Sequence, residues 1–589
     1  MYLEKIDSPE DLKKLSIKEL NILSDEIRKA IIKKVSIKGG HLGPELGVVE
    51  LTVALHYVFN SPKDKIIFDV SHQTYPHKML TGRKDAFLYE DNYDDVSGFS
   101  NTEESNHDLF ITGHTSTSLS LLAGLAKARD IKKENHNVIG IIGDGSLSGG
   151  QAYEGLNNLS EQNTNAIIVI NDNGMSIAEN HGGIYKNLEE LRNNNGKAKN
   201  NFFKSLGLDY IYVDKGHDLD ELINIFSSIK DINHPIVVHI KTEKGRGYKY
   251  AEEDKETFHS VTPFNIESGE IYNKGKEYGY KELIRDYLIK KTKSDDELVI
   301  VTSGVPLVMG LDKDHRDMIK KGQYVDVGIT EEHAISFISA MAKGGIKPVY
   351  GTSSTFLQVA YDRLSQDLMM NKNPATILVY NASISSAKNM THLGIFDINF
   401  LSHIPNLVYL APTNDKEHIA MLNWAINQDK YPVAIRVLPG EVKRTDKEDK
   451  KDYNILNKYD LINKGKDVAI IGLGSFFDRA SRVFEKLKEF GINASLINPK
   501  FITGVDKDLL NSLEKDHKLV ITLEDGILEG WFGQMIAGYL GTKNISVKNY
   551  GIKKYFPEIC EEDVLIKENN LRVNDIVRDI VEFLKWEFY

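Results

Sequence analysis

The most restrictive feature of this sequence is a pair of apolar runs, each ending in a polar turn. Val138-Ile139-Gly140-Ile141-Ile142 leads into Gly143-Asp144-Gly145, and Ala166–Ile170 leads into Asn171-Asp172-Asn173-Gly174-Met175. Unbroken apolar runs of this length, separated by a helical stretch near Gln151–Leu159, read as buried strands of an α/β sheet. Such sheets bind ligands beyond the C-terminal ends of their strands, and both turns fall there. The glycines flanking Asp144 predict a sharp turn of the backbone. A carboxylate and an amide oxygen then converge on one point, which suits a hard divalent cation. Mg²⁺ is usually held by one or two protein groups together with phosphate oxygens, so the pair also predicts a diphosphate ligand. Gly145 and Ser146, opening the next helix, offer backbone N–H groups to that anion.

Alone, Gly-Asp-Gly is equally a plain tight turn. Followed by Gly149-Gly150 it also invites a dinucleotide reading, but an acidic side chain aimed at a pyrophosphate is unfavourable without a cation. The Asn-Asp-Asn after the next strand favours the metal. Together the two pieces resemble the thiamine-diphosphate fingerprint of the transketolase-like enzymes. That resemblance implies that Asp144, Asn173 and the backbone carbonyl of Met175 hold Mg²⁺ on the diphosphate of thiamine diphosphate.

With 589 residues, 41 % of them hydrophobic, the chain is long enough for several domains with substantial cores. A formal net charge of −12 with no concentrated basic stretch argues against nucleic acid and membrane surfaces as partners, and for small-molecule chemistry. The single cysteine, Cys560, excludes an internal disulfide and a zinc cluster and reads as a small, partly buried residue. The N-terminus is charged from Glu4 onward, and no apolar run reaches the ~18 residues of a spanning helix. The expectation is a cytoplasmic protein.

Read in order, Ser8-Pro9-Glu10-Asp11 has the marks of a helix start, and Ser16 with Glu19 forms a capping-box pattern. The next helix carries Leu20, Leu23, Ile27, Ile31 and Val35 as a core-facing stripe. It ends at Gly39-Gly40-His41-Leu42-Gly43, either as a cap beside a satisfied histidine or as a site of close ligand approach. Ile66–Val70 reads as a strand ending at Ser71-His72-Gln73. Gly113-His114-Thr115-Ser116-Thr117-Ser118 opens a small-residue helix over Leu119–Ala128. Histidines thus stand at three element junctions.

Gly39–Phe59, Asp69–Leu80, Gly113–Ser120 and Lys244–His259 resemble the segments of the 1-deoxy-D-xylulose-5-phosphate synthase family, and the likeness runs over most of the chain. It implies an α/β, three-domain transketolase-like architecture: a diphosphate- and Mg-binding domain over residues 1–270, a pyrimidine-binding domain over 281–442 and a C-terminal domain over 466–589. It also implies that His72, Gly113, His114, Thr115, Gly145, Ser146, Asn173 and Tyr248 lie around the cofactor. His41, His114, His259 and His392 become the groups for proton transfer and substrate binding, since histidine titrates near the working pH.

Asn193-Asn194-Asn195-Gly196 reads as a polar loop. Glu267–Tyr280 reads as the first interdomain linker, and the charge run Lys443–Lys451, continuing to about Lys466, as a solvated second one. Between them, Tyr324–Glu332 predicts a strand feeding an apolar helix over Ala334–Met341, with Glu331 at the helix N-terminus. A capping acid is one reading. The resemblance instead makes Glu331 the acid that hydrogen-bonds the cofactor's aminopyrimidine, a task that burial serves by keeping its proton in place. Phe356, in Ser353-Ser354-Thr355-Phe356, is either plain core or the ring that stacks on the pyrimidine. Asp467–Gly474 opens a further α/β unit whose Gly-x-Gly lacks the third glycine of a dinucleotide fingerprint.

The resemblance implies a carboligase that joins a 2-oxoacid donor, pyruvate, to an aldehyde acceptor, glyceraldehyde 3-phosphate, working as a homodimer in isoprenoid and thiamine biosynthesis. The acceptor side departs from the family pattern. Where related sequences carry Asp-Arg-Ala-Gly, this chain has Asn381-Ala382-Ser383-Ile384, leading to Lys388-Asn389-Met390-Thr391-His392. The family's Arg-Tyr-Pro-Arg-Gly reads Arg436-Val437-Leu438-Pro439-Gly440, and Val359 replaces a further arginine. Bidentate guanidinium–phosphate pairing is lost with those residues, although Lys388 offers one positive charge. Three functions follow: a divergent synthase with a rebuilt phosphate pocket, a related thiamine-diphosphate enzyme with another donor or aldehyde acceptor, and a cofactor-binding pseudoenzyme.

Overall fold

A computed structural model describes residues 1–272, 278–387, 389–530 and 532–586. The chain forms two compact units, Met1–Lys274 with Gly328–Thr330, and Gly275–Val327 with Glu331–Tyr589.

The first unit is built on a five-stranded parallel sheet: β1 (Lys65–Phe68), β2 (Val138–Gly143), β3 (Ala166–Asp172), β4 (Asp209–Val213) and β5 (Pro235–Lys241), in the order β1-β2-β3-β5-β4. Every residue of the central strand β3 is buried, as helices on both faces of a parallel sheet require. The long α1 (Ile17–Lys38) starts at the expected capping box, with Ser16 N–H donating to Glu19 at 2.8 Å, and buries Leu20, Leu23, Ile27, Ile31 and Val35. Helices α2 (Ser118–Lys132) and α3 (Gly150–Leu159) pack on the other side of the sheet's centre with Leu119, Leu122, Ala152 and Leu156.

One expectation fails locally. The run Ile66–Val70 is strand only to Phe68, because Val70 and Ser71 take φ of 59° and 64°. The left-handed region is uncommon for a β-branched residue, and here it turns the chain abruptly toward His72.

The second unit contains two sheets. Strands β6 (Leu298–Thr302), β7 (Tyr324–Asp326), β8 (Lys347–Ser353), β9 (Thr376–Tyr380), β10 (Val408–Leu410) and β11 (Val433–Arg436) form a parallel sheet in the order β10-β11-β9-β8-β6-β7. Strands β12 (Asp460–Asn463), β13 (Asp467–Gly472), β14 (Ala494–Asn498), β15 (His517–Ile527) and β16 (Ser546–Ile552) form another, in the order β12-β14-β13-β15-β16. Only the edge pair β12–β14 is antiparallel. One apolar cluster, including Tyr350, Ile398, Tyr409, Ile471 and Ile536, draws on both sheets.

The charge run 443–451 is largely exposed, as its composition suggests, but the stretch that continues to 466 also carries structure. It supplies β12, buries Tyr453 and Tyr459, and sets Asp449 and Asp460 around the buried Lys500 at 3.1 and 2.9 Å. Of the other linker, residues 273–277 lie outside the described residues, and Tyr280 already belongs to a helix that runs to Thr292. Cys560 is buried, with its thiol donating to the Pro557 carbonyl. Among the described residues no helix is long and apolar enough to cross a membrane.

The two sheets of the second unit are also joined by charge. Arg436, at the end of β11, is 1 % exposed and sits between Asp397, at 2.8 Å, and Asp525 on β15. Removing one partner of a buried pair leaves the other charges without compensation, at a cost of about 3–5 kcal/mol. Arg436→Leu is expected to lower the urea midpoint of the second unit by a corresponding amount, measured by circular dichroism.

Candidate active site

In the first unit, β2 and β3 run side by side with Gly143 opposite Asn171, so their C-terminal turns are neighbours. The glycines beside Asp144 do not serve as expected: neither adopts a positive φ. Gly145 is needed for close approach instead, since a Cβ there would lie 2.6 Å from Ser176 Cβ. Asp144 opens a short 3₁₀ turn, Asp144–Ser148, and is 1 % exposed. Its carboxylate accepts from Asn180 Nδ2 at 2.8 Å and from the Asn173 backbone. Burial, and next the nearby Asp172, push its pKa up to about 8.

The neighbouring Asp172 is fully committed elsewhere. It pairs with Arg192 at 2.6 Å and with His239 Nε2 at 2.7 Å, and accepts the Gly174 N–H at 3.0 Å. Of the two carboxylates, then, only Asp144 lacks a direct ion pair among the described residues. Asn173 Oδ1 accepts the Met175 N–H at 3.2 Å, and Met175 makes an isolated bridge with Glu179. This Asx turn folds the chain after β3 back over Asp144. Asn180, which no motif in the sequence marks, has a buried Oδ1 without a hydrogen-bond partner among the described residues. The Asp144 carboxylate with the side-chain amide oxygens of Asn173 and Asn180 and the Met175 carbonyl would make an all-oxygen donor set of the kind that fits Mg²⁺. Among the described residues no cluster of three or more His, Cys, Asp or Glu side chains offers an alternative metal centre.

Three of the expected histidines come together. A two-residue antiparallel ribbon pairs Gly40 with Val261 and His41 with Ser260, which sets His41 beside His259. The ring centroids of His41, His72 and His259 lie 5.0, 5.7 and 5.4 Å apart pairwise, and Phe99 stands edge-on to His41 at 5.6 Å. Burial, followed by the Lys244 charge, lowers His41 to about 4 and drives His259 well below the usual imidazole range. Both are therefore neutral at pH 7. His259 Nδ1 is buried with no hydrogen-bond partner among the described residues.

Lys244 itself is 1 % exposed, donates to the Ser176 carbonyl at 2.6 Å and is lowered by burial to about 8. Its segment, Lys244–His259, resembles the family, but nothing in the sequence beyond the Lys-Gly-Arg-Gly context singles out its side chain.

The loop with Gly113, His114 and Thr115 is tied to both neighbouring turns. Asp69 accepts the Ser116 and Ser118 N–H groups at 2.9 and 3.0 Å, Ser71 Oγ donates to the Thr112 carbonyl, and Ser116 Oγ donates to the Ser146 carbonyl at 2.8 Å. His114 is half-buried within it. Tyr248, expected beside the cofactor, is buried in the first unit. Its ring packs among Tyr250, Phe258 and Phe264, and its hydroxyl donates to the Ile266 carbonyl at 2.9 Å, so packing accounts for it.

In the second unit, Glu331 is the first residue of helix α4 (Glu331–Lys343) and is 7 % exposed. Its Oε1 accepts from Ser303 Oγ at 3.3 Å, and Ser303 shares a 2.9 Å bond with the Tyr350 hydroxyl. Burial above all, with Glu332 and Asp326 adding to it, pushes Glu331 up to about 8. It is a carboxylic acid rather than a carboxylate at pH 7. Phe356 lies one turn beyond β8, half-buried, with its ring edge-on to His392 at 5.5 Å. His392 Nδ1 lies within 3.0 Å of both Asn389 and Thr391 side chains.

The acceptor segments hold no guanidinium at the substituted positions. Asn381, with φ of 52°, bonds Ser353 Oγ at 2.9 Å; Ala382 is buried; Pro439 is half-buried; Val359 is 53 % exposed. Arg436, which the family pattern keeps, is consumed by Asp397 and Asp525. Lys388 lies outside the described residues.

Residues 3–201 and 194–242 match the family described as 1-deoxy-D-xylulose-5-phosphate synthase, residues 276–442 the transketolase pyrimidine binding domain, and residues 457–576 the transketolase C-terminal domain. The chain is 37 % identical to the 1-deoxy-D-xylulose-5-phosphate synthase of Clostridium acetobutylicum, over 99 % of both chains. It is 37 % identical to that of Caldanaerobacter subterraneus subsp. tengcongensis, again over 99 % of each, and 39 % identical to that of Halothermothrix orenii, over 94 % of this chain and 93 % of the relative. The fold is transketolase-like, and the chain belongs to the 1-deoxy-D-xylulose-5-phosphate synthase family.

Proposed function

We propose that this chain is a thiamine-diphosphate- and Mg²⁺-dependent transferase that joins pyruvate to glyceraldehyde 3-phosphate, giving 1-deoxy-D-xylulose 5-phosphate and CO₂. The observation that carries this reading is the buried Asp144 carboxylate beside Asn173, without an ion pair among the described residues, in a chain that aligns with 99 % of its Clostridium acetobutylicum relative. A pseudoenzyme has no need of a neutral, buried Glu331 as well.

When bound, thiamine diphosphate supplies the electron sink for decarboxylation of the 2-oxoacid and transfer of its acyl unit. The protein's part is to hold, orient and move protons. Asp144, Asn173 and the Met175 carbonyl hold the metal, and the backbone of Gly145 and Ser146 with His72, Gly113, His114 and Thr115 holds the diphosphate side. Glu331 keeps a proton on its carboxyl for the aminopyrimidine, and Phe356 offers that ring an apolar face. His41 and His259, neutral through burial, accept protons or hydrogen bonds at their ring nitrogens. His114 and His392 serve the substrate. Three domains, over residues 1–270, 281–442 and 466–589, divide these tasks. The enzyme works as a cytoplasmic homodimer and feeds isoprenoid and thiamine biosynthesis; its acidic net charge of −12 and its family membership support this.

A second reading, with a different aldehyde as acceptor, is favoured by one observation: Ala382, Pro439 and Val359 offer no cation, and Arg436 is sequestered.

CO₂ release from pyruvate by purified protein with thiamine diphosphate and Mg²⁺, with and without glyceraldehyde 3-phosphate, separates these readings when products are identified by mass spectrometry. Deoxyxylulose phosphate is the expected product. Decarboxylation that ignores this aldehyde moves the acceptor to another class, and no decarboxylation at all refutes the enzyme. Glu331→Ala is expected to abolish turnover while calorimetric binding of Mg²⁺ and thiamine diphosphate persists; normal turnover in this variant contradicts the assignment. Because the working form of Glu331 is protonated and its pKa is about 8, initial rates are expected to fall as pH rises through about 8.

A further inference from the structure

Beside the histidine cluster lies a second buried set of polar and charged side chains that none of the roles above uses. His56 Nε2 meets His77 Nδ1 at 2.9 Å, and His77 Nε2 meets Asp108 at 2.9 Å. Arg83 donates to both oxygens of Asp108, at 2.9 Å each, and to Glu104 at 3.2 Å. Glu104 also takes the Lys78 ammonium at 2.5 Å. The side chains of Lys78 and Asp108 are fully buried. Burial opposes the Asp108 charge, but His77 and Arg83 outweigh it and hold the carboxyl well below its usual range. His56 and His77 are lowered by burial and stay neutral. Two cations thus balance two carboxylates in a dry setting, where such bonds are strong and geometrically strict.

These groups grip one loop. The Ser97 N–H donates to Glu104 at 2.7 Å, Lys78 donates to the Ser97 carbonyl at 2.9 Å, and the Asn101 N–H donates to Asp108 at 2.9 Å. The carboxylates close residues 97–108 on themselves, and Lys78 and Arg83, from the segment after His72, pin the closure. Between the two clasps stand Phe99, whose ring is edge-on to His41, and Ser100, whose N–H donates to Ser71 Oγ at 2.9 Å. Ser71 immediately precedes His72. The clasped loop therefore meets the histidine cluster at two points, Phe99 against His41 and Ser100 against Ser71.

We propose that Asp108 and Glu104 are positioning residues for the reaction: through the loop 97–108 they fix Phe99 against His41 and the Ser100 amide against the Ser71–His72 turn, and so set the orientation of the His41 ring. This rests on the reading of His41 as a substrate-facing group.

The test uses Asp108→Asn, Glu104→Gln and Phe99→Ala in the full chain. Misplacement of a reacting group by about an ångström costs up to about 100-fold in rate, so kcat for pyruvate decarboxylation at saturating Mg²⁺ and thiamine diphosphate is expected to fall about 10- to 100-fold in the two clasp variants. If the clasp acts through Phe99, Asp108→Asn costs much less in the Phe99→Ala background than alone, as coupled sites require. Independent, multiplying effects overturn the proposal, as does full activity of Asp108→Asn. Should that variant not fold, Glu104→Gln carries the same cycle. The His41 resonances of histidine-labelled protein give a readout apart from turnover: they are expected to shift in Asp108→Asn and not in the surface control Lys29→Ala. An inactive wild type refutes the function proposed above and leaves this shift to decide the positioning claim; unshifted resonances refute the positioning claim alone.

Discussion

A buried carboxylate whose charge no side chain directly neutralises is the constraint around which the first unit is arranged. Asp144 follows the buried run Val138–Ile142 and, among the described residues, is bonded only to an amide and a backbone N–H. The nearby cations are spent: Arg192 on Asp172, and Lys244 on the Ser176 carbonyl. Burying a carboxylate without a partner is among the costlier things a fold can do, and proteins keep such groups where a ligand completes them. The surrounding loops are bonded to one another through Asp69, Ser71 and Ser116, so the turn beside Asp144, the His114 loop and the His72 turn form one stiff polar rim.

The second unit solves the opposite problem with the same physics. Glu331 is surrounded by a hydroxyl and by other acids, and it answers burial by keeping its proton. Burial raises both acids to about 8, and their neighbours separate the tasks: the amides around Asp144 leave it free to exchange its proton for a cation, whereas the hydroxyl and acids around Glu331 favour its keeping the proton. Neutral His41 and His259 belong to the same scheme: Lys244, close by and buried, disfavours a second positive charge.

What could be seen in the sequence was what is encoded locally. The apolar runs of β2 and β3, the capping box at Ser16 and Glu19, and the motifs carrying Asp144, His41, His72 and Glu331 are short and contiguous. What escaped depends on contacts distant along the chain. Asn180 reaches Asp144 from a later loop, Lys244 lies one hundred residues beyond it, and the Asp108 clasp joins segments that look merely charged. The run after Lys443 reads as a linker because its charges are numerous, and most of them are exposed, yet Asp449 and Asp460 reach the buried Lys500. The left-handed Val70 contradicts its own β propensity, and only its tertiary surroundings hold it there. Tyr248 matched a family segment, yet its surroundings are aromatic core. On the acceptor side the substitutions were plain in the sequence, whereas the burial of Arg436 between two aspartates was not.

The claim that Asp144 awaits a cation is tested most directly by titration calorimetry of thiamine diphosphate into the full chain, with Mg²⁺ and with EDTA, for wild type and Asp144→Asn. Tight binding to the wild type that needs Mg²⁺, and that weakens in Asp144→Asn to the EDTA level, is the predicted result. Equal affinity in EDTA, or a metal requirement that survives Asp144→Asn, contradicts the account.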